Sequence, residues 1–186
     1  MAILPIVRLG HPALRTPARA ISPEDVGAER LERLIDDLVE TMHAAGSVGL
    51  SAPQVGVGLQ VFVYEIPDEP EVPGDAVPLK VILNPMLVAT PGRLVHEWEG
   101  CTSVPDLRGL VPRHPSVRIR GLDRQGGAVD AVANGLEARV IQHEYDHLNG
   151  MVFLDRMRDL RSLAFSAEWD EYIGSAAESV EYSAVV

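Results

Sequence analysis

Across residues 22–46 the apolar positions Leu31, Leu34, Ile35, Leu38 and Met42 recur at helical spacing, behind a Ser-Pro start that suits a cap and first turn. A long amphipathic N-terminal helix is predicted there. Residues 59–65, 79–83, 87–89 and 93–98 are instead short runs of β-forming residues punctuated by Pro and Gly, and they read as strands. Residues 67–78 hold four prolines and four acids in twelve positions, the composition of a surface loop. Further on, 117–122 and 128–133 flank Asp123-Arg-Gln-Gly-Gly127, a hairpin signal. Leu136, Val140 and Ile141 then return to helical spacing, with Asn134 placed to cap that helix and Gly150 to close it. A terminal helix is predicted over 155–173, with Leu160, Leu163 and Ala164 on one side. The expected fold is α+β, with a long N-terminal helix, antiparallel strands around a central helix, and a C-terminal helix.

Length and charge narrow the class. A chain of 186 residues is expected to form one domain, with a core over about 5–174 and a flexible acidic tail at 175–186. No stretch is long and apolar enough to span a bilayer, and the start Met-Ala-Ile-Leu-Pro-Ile-Val-Arg lacks the basic and continuous apolar regions of a secretory signal. A soluble intracellular protein is expected. The net charge of −11 argues against a surface that neutralises phosphates, so direct nucleic-acid binding is not expected.

The central helix carries the chemistry. His143, Glu144 and His147 form an H-E-x-x-H pattern, in which residues four apart share a helix face and can place two imidazoles on one ion. Glu144 then stands close enough to take a proton from a water that the ion activates. Partly buried imidazoles beside a carboxylate are costly unless something satisfies them, and a metal does. Such a site needs a third protein ligand. Cys101, the only cysteine, is a strong candidate as a thiolate reaching the helix from a neighbouring strand. The other candidates are Glu168 and Glu171 downstream, which would make the chain a zinc metallopeptidase.

A further segment, Val48-Gly-Leu-Ser-Ala-Pro-Gln-Val-Gly56, would in isolation be an ordinary Gly/Pro loop. Together, G-L-x-A-P-Q, E-G-C-x-S and H-E-x-D-H in that order resemble the peptide deformylases, over about residues 5–161. The resemblance implies a hydrolase that removes the formyl group from the N-terminal methionine of new polypeptides and releases formate. It implies Cys101, His143 and His147 as ligands of one divalent ion, Fe²⁺ by resemblance, although the same donors would hold Zn²⁺, Ni²⁺ or Co²⁺. Glu144 would be the general base and acid, with Gln54 and the backbone N–H of Thr102 as oxyanion donors and Glu99 behind the ligands. Gly49 and Gly100 would border the extended peptide, Arg108 would help hold it, and Val48, Leu136 and Val140 would line the methionine pocket.

Three positions depart from the commonest bacterial pattern: Ser47 where glycine is usual, Ser51 where alanine is usual, and Thr102 where leucine is usual. The Ser-Ala-Pro-Gln form beginning at Ser51, the pattern around Leu110-Val-Pro-Arg113 and the proline-rich insert resemble the organellar-type branch. No Lys or Arg follows Arg161, so the basic C-terminal extension by which some members dock to ribosomes is absent from this sequence. The bacterial cytoplasm is the expected location, or a mitochondrion or plastid had a transit peptide been removed. A further alternative is a deformylase-like binding protein that kept the fold and metal but lost turnover, and intact Glu144 and Gln54 argue against it.

Overall fold

The computed structural model describes residues 2–68 and 76–174. In chain order its main elements are α1 (Glu29–Ala44), β1 (Gly49–Ser51), β2 (Val61–Ile66), β3 (Val77–Ala89), β4 (Val95–Cys101), β5 (Val104–Arg113), β6 (Ser116–Leu122), β7 (Ala128–Asn134), α2 (Gly135–Leu148) and β8 (Leu163–Phe165). One sheet has the order β1-β2-β3-β6-β7 and the other β4-β5-β8, with antiparallel pairing throughout. This is the expected α+β architecture.

The five-stranded sheet lies between the two helices, and strand alternation explains how. Phe62, Tyr64 and Ile66 of β2 point to a cluster with Ala138, Ile141 and Leu148 of α2. Val61 and Val63 point the other way, to Leu31, Ile35, Leu38 and Met42 of α1. Burial on both faces is why β2 reads as a nearly continuous apolar run. A smaller cluster of Val104, Val111, Val152 and Phe153 lies under the second sheet.

Several expectations shift in detail. Helix α1 begins at Glu29 because Pro23–Asp25 forms a separate 3-10 turn and Gly27, at φ 78°, breaks any continuation. The two runs 79–83 and 87–89 are one strand, β3, whose register shifts between Leu83 and Met86. Asn84 sits in that irregularity at φ 47°, where its side chain accepts from Ile21 N and donates to Ile21 O, both at 2.8 Å. The terminal helix begins later than expected: 3-10 turns at Phe153–Arg156 and Leu160–Ser162 and strand β8 precede a helical turn at Ser166–Glu168, continued as a π turn over Trp169–Ile173. The loop at 67–78 lies largely, and the acidic tail at 175–186 wholly, outside the described residues.

Strand β5 has no counterpart among the expected strands. Pro105, Gly109 and Pro112 disguise it, yet β8 covers only Leu107–Gly109, so Pro112 has an open side where a missing N–H costs no ladder bond. Asn134 occupies the N-cap position of α2 without a side-chain bond, and Gly150 closes the helix at φ 72° with its N–H on His147 O. Gly150 is also packed against Arg15, whose backbone carbon would lie 2.9 Å from an added β-carbon.

Candidate active site

Helix α2 is unusual in burying Arg139, Gln142, Glu144, Asp146 and His147 together. Buried polar groups are tolerated when paired. Arg139 bonds Glu99 at 2.7 Å and Glu97 at 2.7 Å, Asp146 accepts from Arg113 and Arg156 at 2.6 Å each, and Gln142 bonds both the N–H and the C=O of His114. Two side-chain atoms of the helix are buried without a hydrogen-bond partner among the described residues: Glu144 Oε2 and His147 Nδ1. Both belong to the H-E-x-x-H motif.

Beside them the ligating atoms of Cys101, His143 and His147 lie within 4.8 Å of one another. Cys101 Sγ is 3.3 Å from His147 Nε2. His143 directs Nδ1 to Glu99 Oε2 at 2.9 Å, which leaves Nε2 free for the cluster, the usual division of labour in a metal-binding histidine. Glu99 is itself gripped by Arg113 through two bonds of 2.8 and 2.9 Å. Burial would raise the Glu99 pKa, but Arg113 and His143 outweigh it and hold the carboxyl well below its usual range. One thiolate and two imidazoles with a fixed outer carboxylate fit a divalent transition metal.

The surroundings of the two imidazoles differ. Burial opposes charge on His143, but the Cys101 sulfur and Glu99 outweigh it and hold its pKa well above normal. Burial and the nearby His143 charge push His147 well below normal. Burial raises Glu144 to about 7, with His143 and the Ser51 hydroxyl pulling the other way.

Gln54 approaches from the turn after β1, where it is 1% exposed. The backbone N–H and the hydroxyl of Ser51 both donate to its Oε1, each at 2.8 Å. That fixes the amide with Nε2 towards the site, 3.6 Å from Cys101 Sγ and 3.3 Å from Thr102 Oγ1. The N-terminal segment braces the site from outside, since Val7 N donates to Gln54 O and Leu9 N to Ser103 O.

An open cleft of about 510 Å³ runs past the cluster, a volume typical of ligand sites. It brings together the residues expected to meet substrate: Val48, Gly49, Gly100, Arg108, Leu136 and Val140, along with Gln54, Glu99, Cys101, Thr102, His143 and Glu144. Glu168 and Glu171 are exposed and stand outside the group, and Cys101 is the residue brought beside the two histidines. Trp98 and Ser166 also line the cleft without having been anticipated. Arg113 was likewise missed as a buried anchor; its signal is alternation, because Gly109, Val111 and Arg113 share the inward face of β5.

Residues 3–162 match the family model described as Polypeptide deformylase. Peptide deformylase 1 of Nitrosomonas europaea is 41% identical over 88% of this chain and 93% of its own length. The chloroplastic peptide deformylase 1A of Solanum lycopersicum is 40% identical over 82% of this chain and 58% of its own. Among solved structures, a Met-Ala-Ser-bound class I type b peptide deformylase from Acinetobacter baumannii superposes with a TM-score of 0.80 at 34% identity, covering 84% of this chain and 99% of that one. The motif order, the cysteine-bearing cluster and this likeness over most of the chain agree: the protein belongs to the polypeptide deformylase family.

Proposed function

We propose that this chain hydrolyses the formyl amide of N-formyl-methionyl polypeptides, releasing formate and a free amino terminus, with its chemistry centred on Cys101, Glu144 and Gln54. The observation that carries the residue assignment is Glu144 Oε2, buried and without a hydrogen-bond partner among the described residues, beside three converging ligand atoms. Cys101, His143 and His147 hold the metal, which when bound supplies Lewis acidity that polarises the formyl group and makes water more acidic. Fe²⁺ is our choice on the family resemblance, and the donor set also suits Zn²⁺, Ni²⁺ and Co²⁺.

Glu144 accepts a proton from the attacking water as the water oxygen bonds to the formyl carbon. The carbonyl oxygen gains negative charge, and the Gln54 amide with the Thr102 backbone N–H donates to it. Glu144 then delivers its proton to the amine nitrogen as the carbon–nitrogen bond breaks. The peptide chain extends along β1, which is an edge strand of its sheet, and pairs with the backbone of Gly49. Val48, Leu136 and Val140 receive the methionine side chain, Gly100 leaves room beside the peptide, and Arg108 grips it further along.

Nascent formylated peptides in a bacterial cytoplasm are the proposed substrates; the matched relatives include bacterial and chloroplastic proteins. No described helix is long and apolar enough to cross a membrane. Formate release from formyl-Met-Ala-Ser, with acetyl-Met-Ala-Ser left intact, is the expected result. Cleavage of a bond between amino acids, as a metallopeptidase would perform, or failure of the metal-loaded protein to release formate overturns the reading.

A further inference from the structure

Residues beyond position 162, outside the stretch matched by the family model, reach the cleft at Ser166. Strand β8 pairs along β5, setting Ala164 opposite Arg108 and Phe165 opposite Leu107. The chain then turns over the cleft, where Ser166 lines the wall. Trp169 opens the π turn that follows, a helix irregularity that often marks functional positions.

Its ring meets two residues of the cleft. The Arg108 guanidinium lies over the Trp169 face, 4.7 Å from Cζ to the ring centroid. Trp98 meets the same ring edge-on, with centroids 6.0 Å apart and planes at 62°. Trp98 and Gly100 alternate with the inward-facing Glu99 and Cys101, and Gly100 is the register partner of Arg108. Arg108 thus flanks the space that the missing Gly100 side chain leaves open. Among the described residues its guanidinium makes no ion pair or hydrogen bond, so its donors are available to a peptide while its position is set by an aromatic face.

We propose that Trp169 is a positioning residue for the peptide chain beyond the methionine: its ring, braced by Trp98, holds Arg108 at the cleft mouth where Arg108 donates to the substrate backbone. This rests on the assignment of Arg108 as a peptide-holding group. Trp169 adds a determinant of substrate length and grip that lies outside the family's shared core. Its Nε1 is buried without a hydrogen-bond partner among the described residues, so a phenyl ring replaces the indole without losing a bond seen there.

The test uses the full-length, metal-loaded protein with formyl-Met-Ala-Ser and formyl-Met amide, the second lacking any chain for Arg108 to hold. Trp169→Ala is expected to lower the ratio of kcat/KM for the tripeptide to that for the amide about fivefold, as expected for a lost cation–π contact. Trp169→Phe is expected to keep the wild-type ratio. Arg108→Ala is expected to lower the ratio at least as far, and adding Trp169→Ala to it is expected to change the ratio no further. An unchanged ratio in Trp169→Ala, a full second drop in the double variant, or failure of Trp169→Phe to restore the ratio overturns the proposal. An unchanged ratio in Arg108→Ala also overturns it, in that case by removing the assignment of Arg108 on which it stands; formate release from either peptide tests the deformylase reading separately.

Discussion

Gly49 lies against Glu144 so closely that a β-carbon at position 49 would stand 2.8 Å from Glu144 Oε1 and 3.0 Å from its Cγ. Glu144 is 3% exposed and has nowhere to retreat. Gly49→Ala is therefore expected to displace the carboxylate and lower kcat about a hundredfold, the scale of a misplacement near 1 Å. Metal content should stay near wild type, since the three atoms nearest that β-carbon all belong to Glu144. A wild-type kcat in this variant would show that the contact is relaxed without consequence.

Ser47 bears on the same strand edge. Its hydroxyl donates to Gly49 O at 2.8 Å and lies 3.4 Å from Gly49 N, where a peptide strand would pair. On the proposed reading the hydroxyl would compete with the peptide backbone for that edge. Ser47→Gly is expected to lower KM for formyl-Met-Ala-Ser about threefold, the worth of one ordinary hydrogen bond. An equal or higher KM from steady-state kinetics would refute competition at that edge.

The amide of Gln54 is aimed by Ser51 from two donors, one of them backbone. Gln54→Ala should cost about 10²–10³-fold in kcat as an oxyanion donor. Ser51→Ala keeps the backbone donor and should cost less than about tenfold. Rate constants from saturating substrate decide the matter, and equal damage from the two changes would mean that Ser51 acts in some other way.

Metal analysis of purified variants checks the ligand set without kinetics. Cys101→Ala should lose most bound metal, because two imidazoles alone form a weak site, and Cys101→Ser should bind poorly because an alcohol resists deprotonation. Glu168→Gln and Glu171→Gln, both at exposed positions, should remain fully metallated. Full occupancy in Cys101→Ala would remove the thiolate from the centre.

Arg113 joins Glu99 to Asp146 in a buried network, with all three side chains at most 5% exposed. Arg113→Met takes one of two guanidinium partners from each buried carboxylate, leaving Glu99 to Arg139 and Asp146 to Arg156, and is expected to destabilise the fold by up to about 3–5 kcal/mol. A Glu99 held by Arg139 alone should also orient the His143 ring less firmly and weaken metal affinity. Urea unfolding and metal titration of the same variant should both move; a stable variant with unchanged affinity would contradict the role given to the network.

The parts of the site that were legible are those that local periodicity fixes. His143, Glu144 and His147 sit within five residues on a helix whose apolar spacing is plain, so their mutual placement follows from 3.6 residues per turn. Cys101 was weaker as a sequence signal, because its approach depends on pairing between β4 and β5 rather than on its neighbours. Arg113 stayed hidden because a charged residue beside a proline reads as surface, and only the inward alternation of β5 shows otherwise. Trp169 could not be placed, since the span from 155 to 173 looks helical while β5 recruits 163–165 as a strand. In the same way Ser22 signals a helix start, yet Gly27 defers it by a turn.

The three ligand atoms come from two elements that no covalent bond joins directly: Cys101 ends β4, and His143 follows 42 residues later on α2. A bound ion is thus a cross-link between the small sheet and the central helix, closing a long loop much as a disulfide would and favouring the folded chain by mass action. An ion held by these three residues would be a tether as well as a Lewis acid. Metal supply would then govern how long a molecule of this protein resists unfolding and proteolysis, as well as how fast it turns over.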